Sequence, residues 1–457
     1  MSVKKLFGTD GVRGKAGDYP LDHPTVARLG AALVRAMRPA ILEREGERDG
    51  RRPLRFVVGR DTRESGAWIE EELARGAGSE GASVTSAGVI PTPAIAYVTP
   101  AMAFDAGIVI SASHNPFEDN GIKVFSGKGE KFTEAREREV EAIVARTDWA
   151  VPASAGAQFD HTNVVDEYMA HTRLALPDPG RLAGAKLAID TANGATTAVA
   201  SRLFNDLGFE LVVLGGSPDG RNINLDCGST HPGGLSHAVR EKGCRVGVAF
   251  DGDGDRAIFA DANGRIVDGD AVLLMCARHL KANGRLKGNA IVATVMSNIG
   301  LEIALRDSGI EMVRCPVGDK YVMEEMVRRD LSLGGEQSGH IIFAEHLFTG
   351  DGIATALNVL RVMAETGREL ADLASELVTY PQVLVNVRVR EKKDLHAVPE
   401  IAAAMARVEA QLAGQGRLLV RYSGTEPLLR VMLEGRDQQE IQGWASEIAG
   451  KVKEHLG

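Results

Sequence analysis

The stretch GIVISASHNP, residues 107–116, sets the frame for the whole chain: four apolar, partly β-branched residues end abruptly in a polar loop carrying two serines, a histidine and an asparagine. Such a run reads as a buried strand, and the loop after it as the place where a sheet presents its chemistry. The same grammar recurs at 54–59 before RDTRESG, at 186–189 before DTANGA and at 290–296 before SNIG. Strand, polar loop, then helical pattern, repeated along a chain, predicts α/β architecture.

At 457 residues the chain exceeds what one hydrophobic core supports, roughly 250–300 residues, so several domains are expected. Turn-rich stretches at 149–160, 261–264 and 370–381 mark the boundaries. They predict units at 1–155, 156–260, 261–372 and 373–457. The last has a different pattern: strand-like alternation at 383–390 and 428–433 flanks an Ala-rich helical segment, an α+β arrangement. The charged stretch 43–52 reads as a solvated loop.

Hydrophobic residues at 44% and charged residues at 25% fit an ordinary globular protein, and a net charge of −9 argues against a duplex nucleic-acid partner. Cys227, Cys244, Cys276 and Cys315 show no C-x-x-C spacing, which favours buried thiols in a reducing compartment. No leader-like segment opens the chain, and no run approaches the ~18 apolar residues of a membrane span. A cytoplasmic location without membrane attachment is expected.

Four motifs carry chemistry. In DGDGDR, 251–256, alternate positions of an extended segment share a face, so Asp251, Asp253 and Asp255 can converge. Carboxylates ~7 Å apart repel by roughly 2 kcal/mol per pair at an effective dielectric of 20, which a hard cation, Mg²⁺ before Ca²⁺, relieves. An EF-hand is excluded, because its sixth and twelfth positions hold Arg256 and Ala262 in place of Gly and Glu. In SASHNPFEDNGIKVF, 111–125, a hydroxyl at the end of the strand, with His114 and Asn115 beside it and Lys123 further on, supplies a nucleophile, hydrogen-bond donors and a proton shuttle, although a Ser-His pair taken alone reads more often as a capped turn. No G-x-S-x-G elbow occurs anywhere, which disfavours acyl transfer.

GGEQSGHIIF, 334–343, could bind vicinal sugar hydroxyls or could be an ordinary turn. RYSGTEPLLRV, 421–431, sets two arginines beside a Ser-Gly-Thr loop whose N–H groups can form an anion nest. The G-x-G-x-x-G at Gly76, Gly78 and Gly81 follows a helical pattern, the reverse of the dinucleotide fingerprint, and reads as a helix stop. No G-K-[ST] follows a glycine-rich loop, so a P-loop is absent.

In this order, from FGTDGVRG at 7–14 to RYSGTEPLLRV, the motifs resemble those of the α-D-phosphohexomutase superfamily. FGTDGVRG, ISASHNPFEDNGIKVF, CGSTHP at 227–232 and GGEQSGH are similar to the branch acting on glucosamine phosphate, whereas phosphomannomutase/phosphoglucomutase enzymes carry Met at the place of Gln337. The resemblance implies three topologically similar α/β domains and a C-terminal α+β domain, TATA-binding-protein-like, around a central cleft. It implies that Ser113 is carried as phosphoserine and that its phosphate, Asp251, Asp253 and Asp255 hold Mg²⁺. By the same likeness Arg13 and Lys123 serve proton transfer and charge stabilisation, with His114 beside them. Glu336, Ser338 and His340 bind the sugar, and Arg421, Ser423, Gly424, Thr425 and Arg430 grip the phosphate that is not reacting. The expected substrate is a sugar phosphate, turned over through a hexose 1,6-bisphosphate that is also the activator, in supply of UDP-N-acetylglucosamine; monomer and homodimer both remain open. Three readings compete with glucosamine phosphate isomerisation: a phosphomannomutase/phosphoglucomutase, a phosphatase using the same serine, and a non-catalytic sugar-phosphate binder.

Overall fold

The computed structural model describes residues 5–8, 10–49, 52–160, 162–423 and 427–457. Three strands that end in motif loops, Ala106–Ile110, Val246–Phe250 and Leu333–Gly335, are buried throughout. Each pairs in parallel with an earlier strand of its sheet and, after its loop, with the next strand in antiparallel fashion. Thus Ala106–Ile110 lies parallel to Arg55–Arg60 and antiparallel to Asp119–Ser126. Val246–Phe250 lies parallel to Lys186–Asp190 and antiparallel to Ala257–Asp261. Leu333–Gly335 lies parallel to Ala290–Thr294 and antiparallel to Ile341–Phe343. The loops carrying SASHNP, DGDGDR and GGEQSGH are therefore the same connection in three successive α/β units, which is how one architecture brings all three to a common place.

Burial on both faces explains why these strands read as continuous apolar runs and not as alternations. Helices cover the sheets, and one apolar cluster extends from Val57 through Phe250 to Leu373, joining the first three units. The C-terminal unit has its own core. There, Leu428–Glu434 is the centre of a three-stranded antiparallel sheet with Gln382–Arg388 and Arg417–Tyr422 beside it. Helices Pro399–Leu412 and Gln438–Leu456 pack on that sheet. The α/β class, with three related units and a distinct C-terminal one, is as the sequence predicts.

Three local expectations change. The sheets run past the sequence-read boundaries: Phe159–Asp160 pairs with Ser83–Val89 in the first sheet, and Ile266–Val267 completes the second. Of the 43–52 stretch, residues 43–49 are not a loop but continue helix His23–Asp49, and residues 50–51 lie outside the described residues. Gly76 and Gly78 do not stop a helix but lie inside Gly66–Ser79. A Cβ on Gly76 would come within 1.8 Å of the Ala27 carbonyl oxygen, and one on Gly30 within 2.1 Å of that of Leu73. The glycines let the two helices touch backbone to backbone, which outweighs their poor helix propensity.

Candidate active site

Ser113 stands at a backbone φ of +52°, a left-handed conformation costly for a residue with a Cβ and maintained only where its surroundings enforce it. Here they do. The Ser111 hydroxyl accepts from the Ser113 N–H at 2.9 Å, and the Ser113 carbonyl accepts from Arg63 Nη2 at 3.2 Å and Asn224 Nδ2 at 2.9 Å. Arg63 Nη2 also donates to the Asn115 carbonyl at 2.6 Å. Arg63 is wholly buried and ion-paired with Asp61, which in turn accepts from the Ser111 hydroxyl. Oriented in this way, the Ser113 hydroxyl donates to Asp251 Oδ2 at 2.6 Å, with His114 Nδ1 3.4 Å away.

Asp251, Asp253 and Asp255 are buried, and one oxygen from each lies within 4.8 Å of the others. The convergence does not come from an extended segment. Residues 251–256 form a turn, with Gly254 at φ +75°, and neighbours from all three α/β units clamp it. Thr92 N–H donates to the Asp253 carbonyl, Ala195 N–H to that of Gly252, and Gly352 N–H to that of Gly254. Burial, then the charges of Asp255 and Asp253, pushes the Asp251 carboxyl well above the ordinary carboxylate range. Burial also works against the Asp253 carboxylate, but Lys123 at 2.9 Å and the Thr92 hydroxyl at 2.7 Å hold it below that range. The buried Oδ1 atoms of Asp253 and Asp255 have no hydrogen-bond partner. Orphaned carboxylate oxygens gathered in a dry turn are a donor set suited to a hard divalent cation.

Lys123 comes from Asp119–Ser126, opposite Val109, and is almost fully buried among Asp253, Asp10 at 3.1 Å and Asp255 at 3.9 Å. Burial favours its neutral form, but these carboxylates overcome that and hold it protonated well above its ordinary value. Lys123 is therefore a fixed cation and a poor base. Arg13 donates to the Ala112 carbonyl at 2.8 Å and pairs with Asp10 at 2.6 Å. Burial, with Arg256 and Arg13 nearby, moves the His114 imidazole below its usual value, toward the neutral form.

Ser113, His114, Arg13, Lys123, Asp255, Arg256, Glu336 and His340 all line one cavity of about 1000 Å³. The GGEQSGH loop is tied to the aspartate turn, since Ala257 N–H donates to the Gly339 carbonyl at 3.0 Å and the Arg256 backbone forms a β-bridge with that of His340. Glu336 accepts from Gly318 N–H at 3.1 Å. His340 is buried, with neither ring nitrogen hydrogen-bonded. Ser338 is exposed and is not among the lining residues, and Gln337 turns away to donate to Asp268 at 3.0 Å.

No described residue of the C-terminal unit lines the cavity. In that unit Arg421 and Arg430 face each other across the hairpin, and Ser423 N–H closes it on the Leu428 carbonyl. Gly424 and Thr425 lie outside the described residues.

Sequence reasoning passed over Asp61, Arg63, Thr92, Asn224, Lys131 and Asp319. Asp61 and Arg63 stood in RDTRESG, already marked as a loop after a buried strand; the others had no local signal.

Comparison with known proteins agrees with this succession of units. Models of the phosphoglucomutase/phosphomannomutase alpha/beta/alpha domains I, II and III match residues 4–151, 166–264 and 268–380, and the C-terminal domain model matches 384–451. A phosphoglucomutase/phosphomannomutase family protein from Burkholderia thailandensis superposes with a TM-score of 0.80 at 23% identity, over 99% of this chain and 98% of that one. Aspergillus fumigatus N-acetylphosphoglucosamine mutase, solved with GlcNAc-6P and magnesium, superposes with a TM-score of 0.66 at 17% identity, over 99% and 96% of the two chains. At these identities the likeness carries the fold alone. The phosphoglucosamine mutase of Solibacter usitatus is 48% identical over the whole of both chains, and at that level the chain belongs to the phosphoglucosamine mutase family.

Proposed function

We propose that the chain interconverts glucosamine 6-phosphate and glucosamine 1-phosphate by way of a phosphorylated Ser113. The observation that carries this is the Ser113 hydroxyl, held in a left-handed turn against Asp251 at the wall of a sugar-sized cavity lined by Arg13, Lys123 and Arg256. Phosphoryl transfer depends on positioning and charge neutralisation, and a fixed nucleophile among buried cations supplies both.

In the forward step the free sugar hydroxyl attacks phosphorus as the Ser113 Oγ–P bond breaks. The hydroxyl proton passes to neutral His114 and from there to the departing Ser113 oxygen, 3.4 Å from Nδ1. The product is a 1,6-bisphosphate, which turns over in the cavity and returns its other phosphoryl group to Ser113 in the reverse of the same step. Lys123, Arg13 and Arg256 neutralise the transferring group throughout, while Glu336 and His340 hold the sugar. Asp251, Asp253 and Asp255, with the phosphate on Ser113, would hold Mg²⁺, whose chemistry there is charge withdrawal from the phosphoryl oxygens. Arg421, Ser423, Gly424, Thr425 and Arg430 would grip the far phosphate.

Four free cysteines, three of them buried, support a reducing compartment, and among the described residues no helix is long and apolar enough to cross a membrane. We place the enzyme in the cytoplasm and its unit boundaries near residues 162, 268 and 381.

The test is a coupled assay, with a bisphosphate activator, on glucosamine, glucose and mannose phosphates. The expected result is a kcat/KM about tenfold or more higher for glucosamine phosphate, with slower but measurable turnover of glucose phosphate. Equal or higher kcat/KM on mannose 1-phosphate would make the phosphomannomutase/phosphoglucomutase reading the better one. Release of inorganic phosphate without isomerisation would favour the phosphatase.

Chelation gives a second check. EDTA should abolish turnover and Mg²⁺ restore it. Asp253→Asn should lower both Mg²⁺ affinity and kcat, by about 100-fold in activity at limiting Mg²⁺. A stripped sample that works as well as the loaded one would overturn the metal assignment.

A further inference from the structure

Asp10 has no role in the step just described, yet its carboxylate lies at the centre of the cavity's positive charge. Its Oδ1 is 2.6 Å from Lys131 Nζ, and its Oδ2 is 2.6 Å from Arg13 Nη2 and 3.1 Å from Lys123 Nζ. All four residues line the cavity. Lys131 continues the pattern outward to Asp319 of the third unit, and Lys123 continues it inward to Asp253. Positive and negative side chains thus alternate from the third unit, through the first, to the aspartate turn. Arg13 Nε is also 3.4 Å from the Asp10 carbonyl, and a Gly8 N–H to Gly11 carbonyl bond at 2.8 Å closes the turn carrying Asp10.

Three cations brought this close repel one another, and a single carboxylate between them is the cheapest way to keep them together. The three that surround Asp10 are not equivalent in origin. Arg13 and Lys123 come from paired strands, Val12–Lys15 and Asp119–Ser126, whereas Lys131 comes from the segment after the second of these. Their side chains converge only at Asp10, whose carboxylate the surrounding cations hold well below the ordinary range against the opposing effect of burial.

We propose that Asp10 is a positioning residue for phosphoryl transfer, holding Arg13, Lys123 and Lys131 as one cluster, and that Lys131 is a further cation facing the substrate's phosphate, beside Arg13, Lys123 and Arg256. The inference rests on the sugar-phosphate reading of the site. Asp10 itself contacts no reacting atom, and its charge opposes phosphate binding. Its removal therefore has a signature that loss of a phosphate ligand or of general structure lacks: the ground state binds no worse while the transition state is stabilised less.

The experiment compares Asp10→Asn, Asp10→Glu and Lys131→Met in the full chain, by steady-state kinetics and by calorimetric titration with glucose 1,6-bisphosphate. Asp10→Asn should lower kcat about tenfold or more, with KM and bisphosphate Kd unchanged or tighter. Lys131→Met should weaken bisphosphate binding by about tenfold. Asp10→Glu, which keeps the charge, should recover most of kcat. In the double variant Asp10→Asn with Lys131→Met the kcat loss should be smaller than the product of the single losses, because removing Lys131 also removes repulsion that Asp10 balances. Thermal melts confirm that each variant is folded, and Asp10→Glu carries the comparison if Asp10→Asn is not.

Weaker bisphosphate binding by a folded Asp10→Asn, or unchanged kcat, overturns the positioning role. Unchanged bisphosphate affinity in Lys131→Met overturns the assignment of Lys131 as a phosphate-facing cation. If the wild type isomerises no hexose phosphate, the mutase reading fails by itself, and the calorimetric arm still decides the cluster.

Discussion

Replacing Ser113 by Ala should reduce mutase turnover by on the order of 10⁴-fold or more while leaving the protein folded. The size follows from the route: without the hydroxyl there is no oxygen to carry the phosphoryl group between the two ends of the sugar, and no neighbour can substitute. Ser111, the nearest other hydroxyl by sequence, is buried and committed to Asp61 and to the Ser113 N–H. The stability cost is small. The substitution removes one donor from Asp251, about 1 kcal/mol, and for a domain of this size that moves the melting midpoint by only a few degrees. Alanine meets the same steric objection to φ +52° as serine, so the turn loses nothing further. Intact-mass measurement should show one phosphate on the wild type and none on the variant. A folded Ser113→Ala enzyme that still interconverts the sugar phosphates at near wild-type rate would exclude a phosphoserine route.

The same loop shows which features could be read from the chain and which could not. Its strand was legible because a parallel strand buried on both faces is apolar at every position, and its cluster of polar side chains at the cavity was legible because Ser113, His114 and Lys123 lie within eleven residues. DGDGDR was legible for the same reason, although the mechanism of convergence was not: a turn through Gly254, clamped by three units, replaces the expected extended segment. Two-residue strands such as Phe159–Asp160 and Ile266–Val267 are too short to show a period, so the first two sheets run past the boundaries that the turn signals suggest. Gly76 shows the limit of propensity, because the contact that requires a glycine there is with Ala27, 49 residues away in the chain. The cation cluster has the same character. Asp10 and Lys131 are separated by 121 residues and Lys131 and Asp319 by 188, and no local pattern announces such pairs.

Arg63→Met should produce the largest loss of stability among the changes considered, about 3–5 kcal/mol, because it leaves the Asp61 carboxylate buried without its counter-ion. Both side chains are fully shielded from solvent, so water cannot compensate. The substitution also withdraws a guanidinium that donates to the Ser113 and Asn115 carbonyls, leaving Asn224 as the remaining side-chain donor to both. Activity and stability should therefore fall together in the single variant, and a second change separates them. Asp61→Asn in the Arg63→Met background removes the uncompensated charge, and replacing both members of a buried pair is far less costly than breaking it. Denaturant titration should show the double variant recovering much of the lost stability. Its kcat should nevertheless stay about 100-fold or more below wild type, since the Ser113 carbonyl still lacks its guanidinium and the nucleophile is no longer fixed against Asp251. Recovery of activity in step with stability would mean that Arg63 only neutralises Asp61. Persistence of the kinetic defect in a stable protein would mean that this buried arginine, which touches no substrate, sets the geometry of the serine that does the chemistry.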